Sequence, residues 1–179
     1  VLYKFPKLPQ TFIMNQITGL MDRSHEVHIF SERVPEQNKD HEAVKEYSLH
    51  ENITYFEAPE SYIEAARKTP YPLVKQLLKG RFDVLKFAQT PRKFPKKIRS
   101  LDKFSSEEEF DILHFHFGPM AKEHLHLTEE TDAKTLASFY GSDVTSYPKN
   151  NQDVYDEVFE QVDEIIALSD HMQKNLQDL

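Results

Sequence analysis

Short runs rich in β-branched and aromatic residues recur along the chain, each bounded by polar or turn residues. They are VLY (1–3), EVHIFS (26–31), ITYFEA (53–58), DILHFH (111–116), TLASFY (135–140) and EIIALS (164–169), and each predicts a strand. Between most of them the apolar residues take up helical spacing. In TFIMNQITGLMDR, Ile13, Ile17, Leu20 and Met21 recur on one side, with Pro9 or Thr11 placed to start the turn. NQDVYDEVFEQV sets Val154, Tyr155, Val158, Phe159 and Val162 in one stripe. SDHMQKNLQDL opens on Ser169, a suitable N-cap, and places Met172, Leu176 and Leu179 on one face. The stretch 60–104 predicts two or more amphipathic helices broken at Pro70, Pro72, Pro91 and Pro95.

Strands alternating with helices argue for an α/β fold with a parallel sheet. At 179 residues the chain fits one domain with a sizeable core. The 60–104 stretch reads as an insertion between the third and fourth strands rather than as a second domain. A hydrophobic fraction of 39% and a mean hydropathy of -0.64 are low, but thirteen Phe and eight Tyr supply packing volume, which excludes a disordered chain. Apolar runs of a few residues exclude a membrane-spanning segment. The absence of Cys excludes disulfides and thiolate zinc sites and suits a reducing cytoplasm. The opening VLYKFP reads as the middle of a strand with no leader before it, so both ends are expected to be boundaries within a longer protein.

The net charge of -8 conceals a division. Twelve of the 22 Lys and Arg, but two of the 30 Asp and Glu, lie between Arg67 and Lys103, leaving +10 there and -18 elsewhere. Such a division points to a local anionic partner, a phospholipid surface or a phosphorylated substrate. Nucleic acid is not expected, because the segment carries no recognisable binding motif and the chain is acidic as a whole.

Ligands of parallel α/β sheets bind beyond the carboxyl ends of the strands. Two of the four Gly, Gly118 and Gly141, directly follow strand candidates, where a positive φ or a close approach is expected. FDILHFHFGPMAKEHLH (110–126) holds four His. His114 and His116 share one face of a strand, whereas His124 and His126 diverge on the following helix. A three-His metal cluster would need that helix to fold back, and no HExxH spacing is present. The reading adopted has His114 hydrogen-bonded within the sheet, His116 at its mouth, and no metal. In SFYGSDVTSYP (138–148), Asp143 follows a strand end. It either orients a sugar hydroxyl and accepts its proton or caps the next turn, and both readings stand.

The segments FPKLPQTFIMNQITGL, HEV, FDILHFHFG, SFYGSDVTSYP and VDEIIALSDHMQKNL resemble, in order and spacing, the N-terminal domain of family-4 (group 1) glycosyltransferases. The likeness is to the bacterial exopolysaccharide and colanic-acid type and is weakest over 60–104. It implies a Rossmann-like doubly wound parallel sheet over 1–179, one half of a GT-B fold, with a C-terminal nucleotide-sugar domain beyond this chain. It further implies a retaining, metal-independent hexosyl transfer from a nucleotide-sugar co-substrate, with no cofactor, to a saccharide or lipid-linked acceptor. The piece alone is expected to be inactive.

The resemblance assigns the loop Phe5 to Thr11, with Lys7, Gln10 and Thr11, to the cleft near the donor phosphates, where a helix N-terminus favours an anion. Pro9-Gln10 stands there in place of the family's Ser-Glu. His116, Phe117 and Gly118 match the "HxHFG" strand end, and Tyr140, Gly141 and Asp143 match the "HGxD" turn. Tyr140 replaces the His of that turn, and a phenol is a poorer base near neutral pH. The three loops are expected along one rim of one sheet, with Asp143 the candidate catalytic group.

For the basic stretch the resemblance adds a cytoplasmic enzyme peripheral to the inner face of the plasma membrane. The plainer reading has its helices cover the sheet while Lys and Arg face water. A stand-alone glycan- or nucleotide-binding module is the alternative function. A flavodoxin-like regulatory domain ranks last, because no clustered acidic pocket follows the first strand.

Overall fold

The computed structural model describes residues 1–7, 9–35, 42–57, 59, 61–105, 109–150 and 152–179. All six expected strands are present: β1 (Leu2–Lys4), β2 (Ile29–Arg33), β3 (Ile53–Tyr55), β4 (Ile112–His116), β5 (Lys134–Phe139) and β6 (Glu164–Ala167). The helices are α1 (Thr11–Met21), α2 (Glu42–Glu46), α3 (Tyr62–Lys68), α4 (Pro70–Leu78), α5 (Phe94–Phe104), α6 (Gly118–His124), α7 (Gly141–Thr145), α8 (Asp156–Gln161) and α9 (Asp170–Gln177). Two compact units divide the chain, Leu2–Lys103 and Phe104–Leu179 together with Val1. Each holds a three-stranded parallel sheet, ordered β1-β2-β3 in the first and β4-β5-β6 in the second. Each order is that of one half of a doubly wound sheet, and the fold is α/β and Rossmann-like.

In the first unit β2 starts three residues later and ends two residues later than EVHIFS suggests. Ile29, Phe30, Ser31 and Glu32 are all buried, as expected for a strand covered on both faces, whereas Glu26 is exposed. Helix α1 begins at Thr11 and buries Ile13, Met14 and Ile17, so Met14 takes the inner place expected for Leu20, which is exposed.

The basic stretch forms α3, α4, a 3-10 helix at Phe82–Gln89 and α5. Its prolines start helices more often than they break them. Pro70 opens α4, Pro72 lies in its first turn and Pro95 in the first turn of α5, where a missing N–H costs nothing. At the end of α4, Gly80 takes φ +80. Its N–H donates to the Leu77 carbonyl and the Arg81 N–H to the Gln76 carbonyl, at 3.0 and 3.1 Å, the paired closure of a Schellman motif. Val84, Phe87, Ile98 and Leu101 form a buried cluster with Leu73, Leu77 and Phe94 packed on it.

Two basic side chains tie α5 to its sheet. Lys96 Nζ pairs with Glu32 of β2 at 2.6 Å, both largely buried. Arg99 donates to the carbonyls of Phe56 and Glu57, just past β3, at 3.3 and 2.9 Å.

In the second unit Phe115, Ala137 and Phe139 are buried on the sheet, and Val154, Tyr155, Val158 and Val162 line the inner stripe expected of their segment. That segment is a 3-10 turn (Gln152–Tyr155) followed by the short α8, because Asp153 leaves helical geometry. Ser169 caps α9, its Oγ accepting the Met172 N–H at 3.3 Å.

Candidate functional site

The second unit gathers two of the three expected loops at the carboxyl ends of β4 and β5. The strands are in register from Ile112 opposite Lys134 to His116 opposite Ser138, so His114, His116, Ser138 and Tyr140 fall on one face by alternation. The rings of His114 and His116 stack with centroids 4.2 Å apart. His114 Nε2 lies 2.8 Å from Ser138 Oγ, inside the sheet as expected. His116 Nδ1 lies 2.8 Å from the Tyr140 hydroxyl at the strand mouth.

Burial governs the protonation of this face. It pushes His114 down to about 4 and His116 down to about 2, so both rings are neutral near pH 7. Burial also raises the Tyr140 phenol, which therefore keeps its proton. The Tyr140 hydroxyl and His116 Nδ1 share one hydrogen bond, whose direction is set by the imidazole tautomer.

The chain turns sharply beyond the strand. Phe117 takes φ +78, a conformation costly for a residue with a Cβ, and its ring packs on Tyr140 at 4.5 Å. The left-handed residue is thus Phe117 and neither glycine. Gly118 is needed for the other expected reason: a Cβ there would lie 2.3 Å from the Phe139 ring and 2.9 Å from that of Tyr155. Gly141 has nothing within 4 Å of such an atom and simply opens α7.

Asp143 joins the two loops. Its Oδ2 accepts the N–H of Gly118 at 3.1 Å and that of Tyr140 at 3.0 Å, and its own N–H donates to the Tyr140 carbonyl at 2.8 Å. Burial raises its carboxyl, while the two N–H bonds favour the charged form. These contacts match the capping reading of Asp143. His116, Tyr140 and Asp143 are each less than a tenth exposed, so they shape the turn. The accessible groups are the half-buried Phe117, Gly141 and the hydroxyl-bearing Ser142.

Sequence reasoning missed Ser138, Ser142 and Tyr155. Ser138 and Ser142 both stood within the SFYGSDVTSYP motif, where small polar residues beside Tyr140 and Asp143 could be noticed. The buried Tyr155 hydroxyl has no hydrogen-bond partner among the described residues, and no periodicity distinguishes it from its apolar neighbours.

The third loop belongs to the first unit, directly after β1. The Phe5 N–H donates to Ser31 Oγ at 3.0 Å, and its carbonyl accepts from the Tyr55 hydroxyl at 2.9 Å. Gln10 precedes α1 and its N–H donates to the Lys7 carbonyl at 2.9 Å. Lys7 and Thr11 are exposed, and Gln10 Oε1 is buried without a partner among the described residues. His124 ends α6, and His126 follows on a 3-10 turn rather than on the same helix. Their buried rings lie 5.7 Å apart. Among the described residues no group of three or more His, Asp or Glu side chains is placed to hold a metal ion.

A family model described as Glycosyltransferase Family 4 matches residues 9–179. No curated protein and no solved structure matches the chain.

Proposed function

The chain belongs to glycosyltransferase family 4, and from that premise we propose that it is the acceptor-binding half of a retaining enzyme of bacterial polysaccharide synthesis. The acceptor is a saccharide or a lipid-linked saccharide. The donor is a nucleotide-sugar held chiefly by a second Rossmann-like domain, so this chain alone does not turn over. The observation that carries the reading is the cross-linked turn at the ends of β4 and β5, where Asp143 fixes Gly118 to Tyr140 and His116 fixes the Tyr140 ring. Ligands of such sheets sit beyond this edge.

The chemistry of the rim suits recognition of neutral hydroxyls. Phe117 offers a flat apolar surface of the kind on which a sugar ring packs, and Ser142 a hydroxyl that donates or accepts. Neutral His116 and the protonated Tyr140 hold that surface in shape. Asp143, with Oδ2 already accepting two N–H bonds, acts as a positioning residue. In the first unit, the head of α1 beyond Lys7, Gln10 and Thr11 suits an anion such as a donor phosphate.

Titrating the chain with neutral oligosaccharides and with uridine and guanosine diphosphates tests this. Saccharide binding in the millimolar range that is weakened by Ser142→Ala supports it. Tight binding of a nucleotide alone, with no response to any saccharide, favours a stand-alone nucleotide-binding module.

A further inference from the structure

The exposed side of the turn after β5 does not end at Ser142. From Tyr140 to Tyr147 the chain reads YGSDVTSY, in which Asp143 is the single charged residue and is buried. Ser142, Thr145, Ser146 and Tyr147 are exposed. The N–H groups of Ser146 and Tyr147 both donate to the Ser142 carbonyl at 3.0 Å, so Ser142 and Ser146 follow helical spacing. Side chains four positions apart share a helix face and stand about 6 Å apart along its axis. Thr145 is turned back, its hydroxyl donating to the Gly141 carbonyl at 2.8 Å. The Ser146 hydroxyl lies 3.5 Å from Thr145 Oγ1, too far for an effective bond between hydroxyls. Tyr147 comes next and is 49% exposed. One side of its ring stacks on Tyr155, with centroids 5.7 Å and planes 20° apart. Tyr155 is wholly buried, meets the Phe139 ring edge-on at 4.9 Å, and fills the space where a Gly118 side chain would point. Tyr147 is thus a solvent-facing ring whose place is fixed, through Tyr155, by the same turn that carries Phe117.

A backed aromatic ring edged by hydroxyls, on a strip with no exposed charge, has a definite complement. A sugar presents C–H groups to the face of the ring and hydroxyls to the serines around it. An anion finds no cation on this strip, and a protein partner needs more apolar area than one ring supplies. We propose that Ser146 and Tyr147 form a second acceptor subsite beside Phe117 and Ser142, so that the acceptor presents at least two neutral sugar units in a row. One unit packs on Phe117 and bonds to Ser142. The next lies over Tyr147 and bonds to Ser146. The inference rests on the acceptor reading given above and narrows it, because a single sugar fills the first position alone.

The test is calorimetric titration of the whole chain with glucose, galactose and mannose and with their neutral di- and trisaccharides. The disaccharide of the recognised sugar is expected to bind about tenfold more tightly than the monosaccharide. Tyr147→Ala should cancel that gain and bring the two ligands to one affinity, whereas Tyr147→Phe should keep it. Ser146→Ala should reduce the gain roughly threefold or more, and Ser142→Ala should weaken mono- and disaccharide alike. Ser146 and Tyr147 are exposed, so thermal unfolding of their variants should match the parent. One arm needs no variant: the Tyr147 ring signals in nuclear magnetic resonance spectra of the parent should shift with disaccharide and stay unmoved with monosaccharide. Equal affinity for the two ligands, or a gain that survives Tyr147→Ala, overturns the second subsite and leaves the acceptor reading standing. No response to any saccharide overturns both. Self-association that Tyr147→Ala abolishes, without a disaccharide gain in the parent, assigns the ring to a contact between copies instead.

Discussion

Gly118 and Gly141 occupy matching places after neighbouring strands, yet the structure asks different things of them. A methyl group at Gly118 meets two packed rings, and overpacking of this kind costs about 1–3 kcal/mol. Gly118→Ala should therefore lower the denaturation midpoint clearly, while Gly141→Ala, into open space, should move stability by no more than about 0.5 kcal/mol. Equal effects would mean that the two turns are equivalent. The His114–His116 pair makes a second residue-scale prediction. The unfolded rings take up protons near pH 6.5, whereas burial holds the folded rings at about 4 and about 2. Below pH 6.5 the unfolded state binds more protons, so stability falls as pH falls. Between about pH 7.5 and about pH 5.5 each ring contributes about 1 kcal/mol of that loss, and His116→Gln should make the fall shallower in paired denaturant titrations. Beyond the shared face of His114 and His116, none of the partners behind these effects was legible in the sequence. The left-handed Phe117 carries no compositional mark, and the Ser138 and Tyr155 contacts depend on the register of β4 against β5.

Elements were far easier to read, because each strand is a short run rich in β-branched and aromatic residues bounded by polar or turn residues. What the pattern could not show was which apolar side chains of 60–104 point inward. Leu77 and Leu78 are adjacent and alike, yet Leu77 packs on the buried cluster and Leu78 faces out, since at 3.6 residues per turn adjacent helical side chains point about 100° apart. The basic residues divide likewise, with Lys96 and Arg99 anchoring α5 to its sheet. Truncating Lys96 removes the cation paired at 2.6 Å with the buried Glu32 carboxylate, so Lys96→Met should destabilise, by up to about 3–5 kcal/mol. The double change with Glu32→Leu should recover most of that, read as the shift in urea midpoint. A mild effect of the single change would assign the helix-to-sheet attachment to the apolar cluster alone.

For the molecule as a whole, the alternation of strands and helices disclosed the α/β class, and the ordered motifs disclosed the family. The division into two units, each with its own three-stranded sheet, was not legible, because the strand pattern is the same whether six strands share one sheet or two. The helices of the described residues include none long and apolar enough to cross a membrane. The central claim is that the turn built by His116, Phe117, Gly118, Tyr140 and Asp143 forms the acceptor side of a sugar-transfer cleft. Its most direct test follows the oligosaccharide titration residue by residue in nuclear magnetic resonance spectra. The predicted result is shifts centred on the Phe117 and Ser142 amides and the His116 ring, saturating together. Saturable saccharide binding that leaves those three signals unmoved would contradict it.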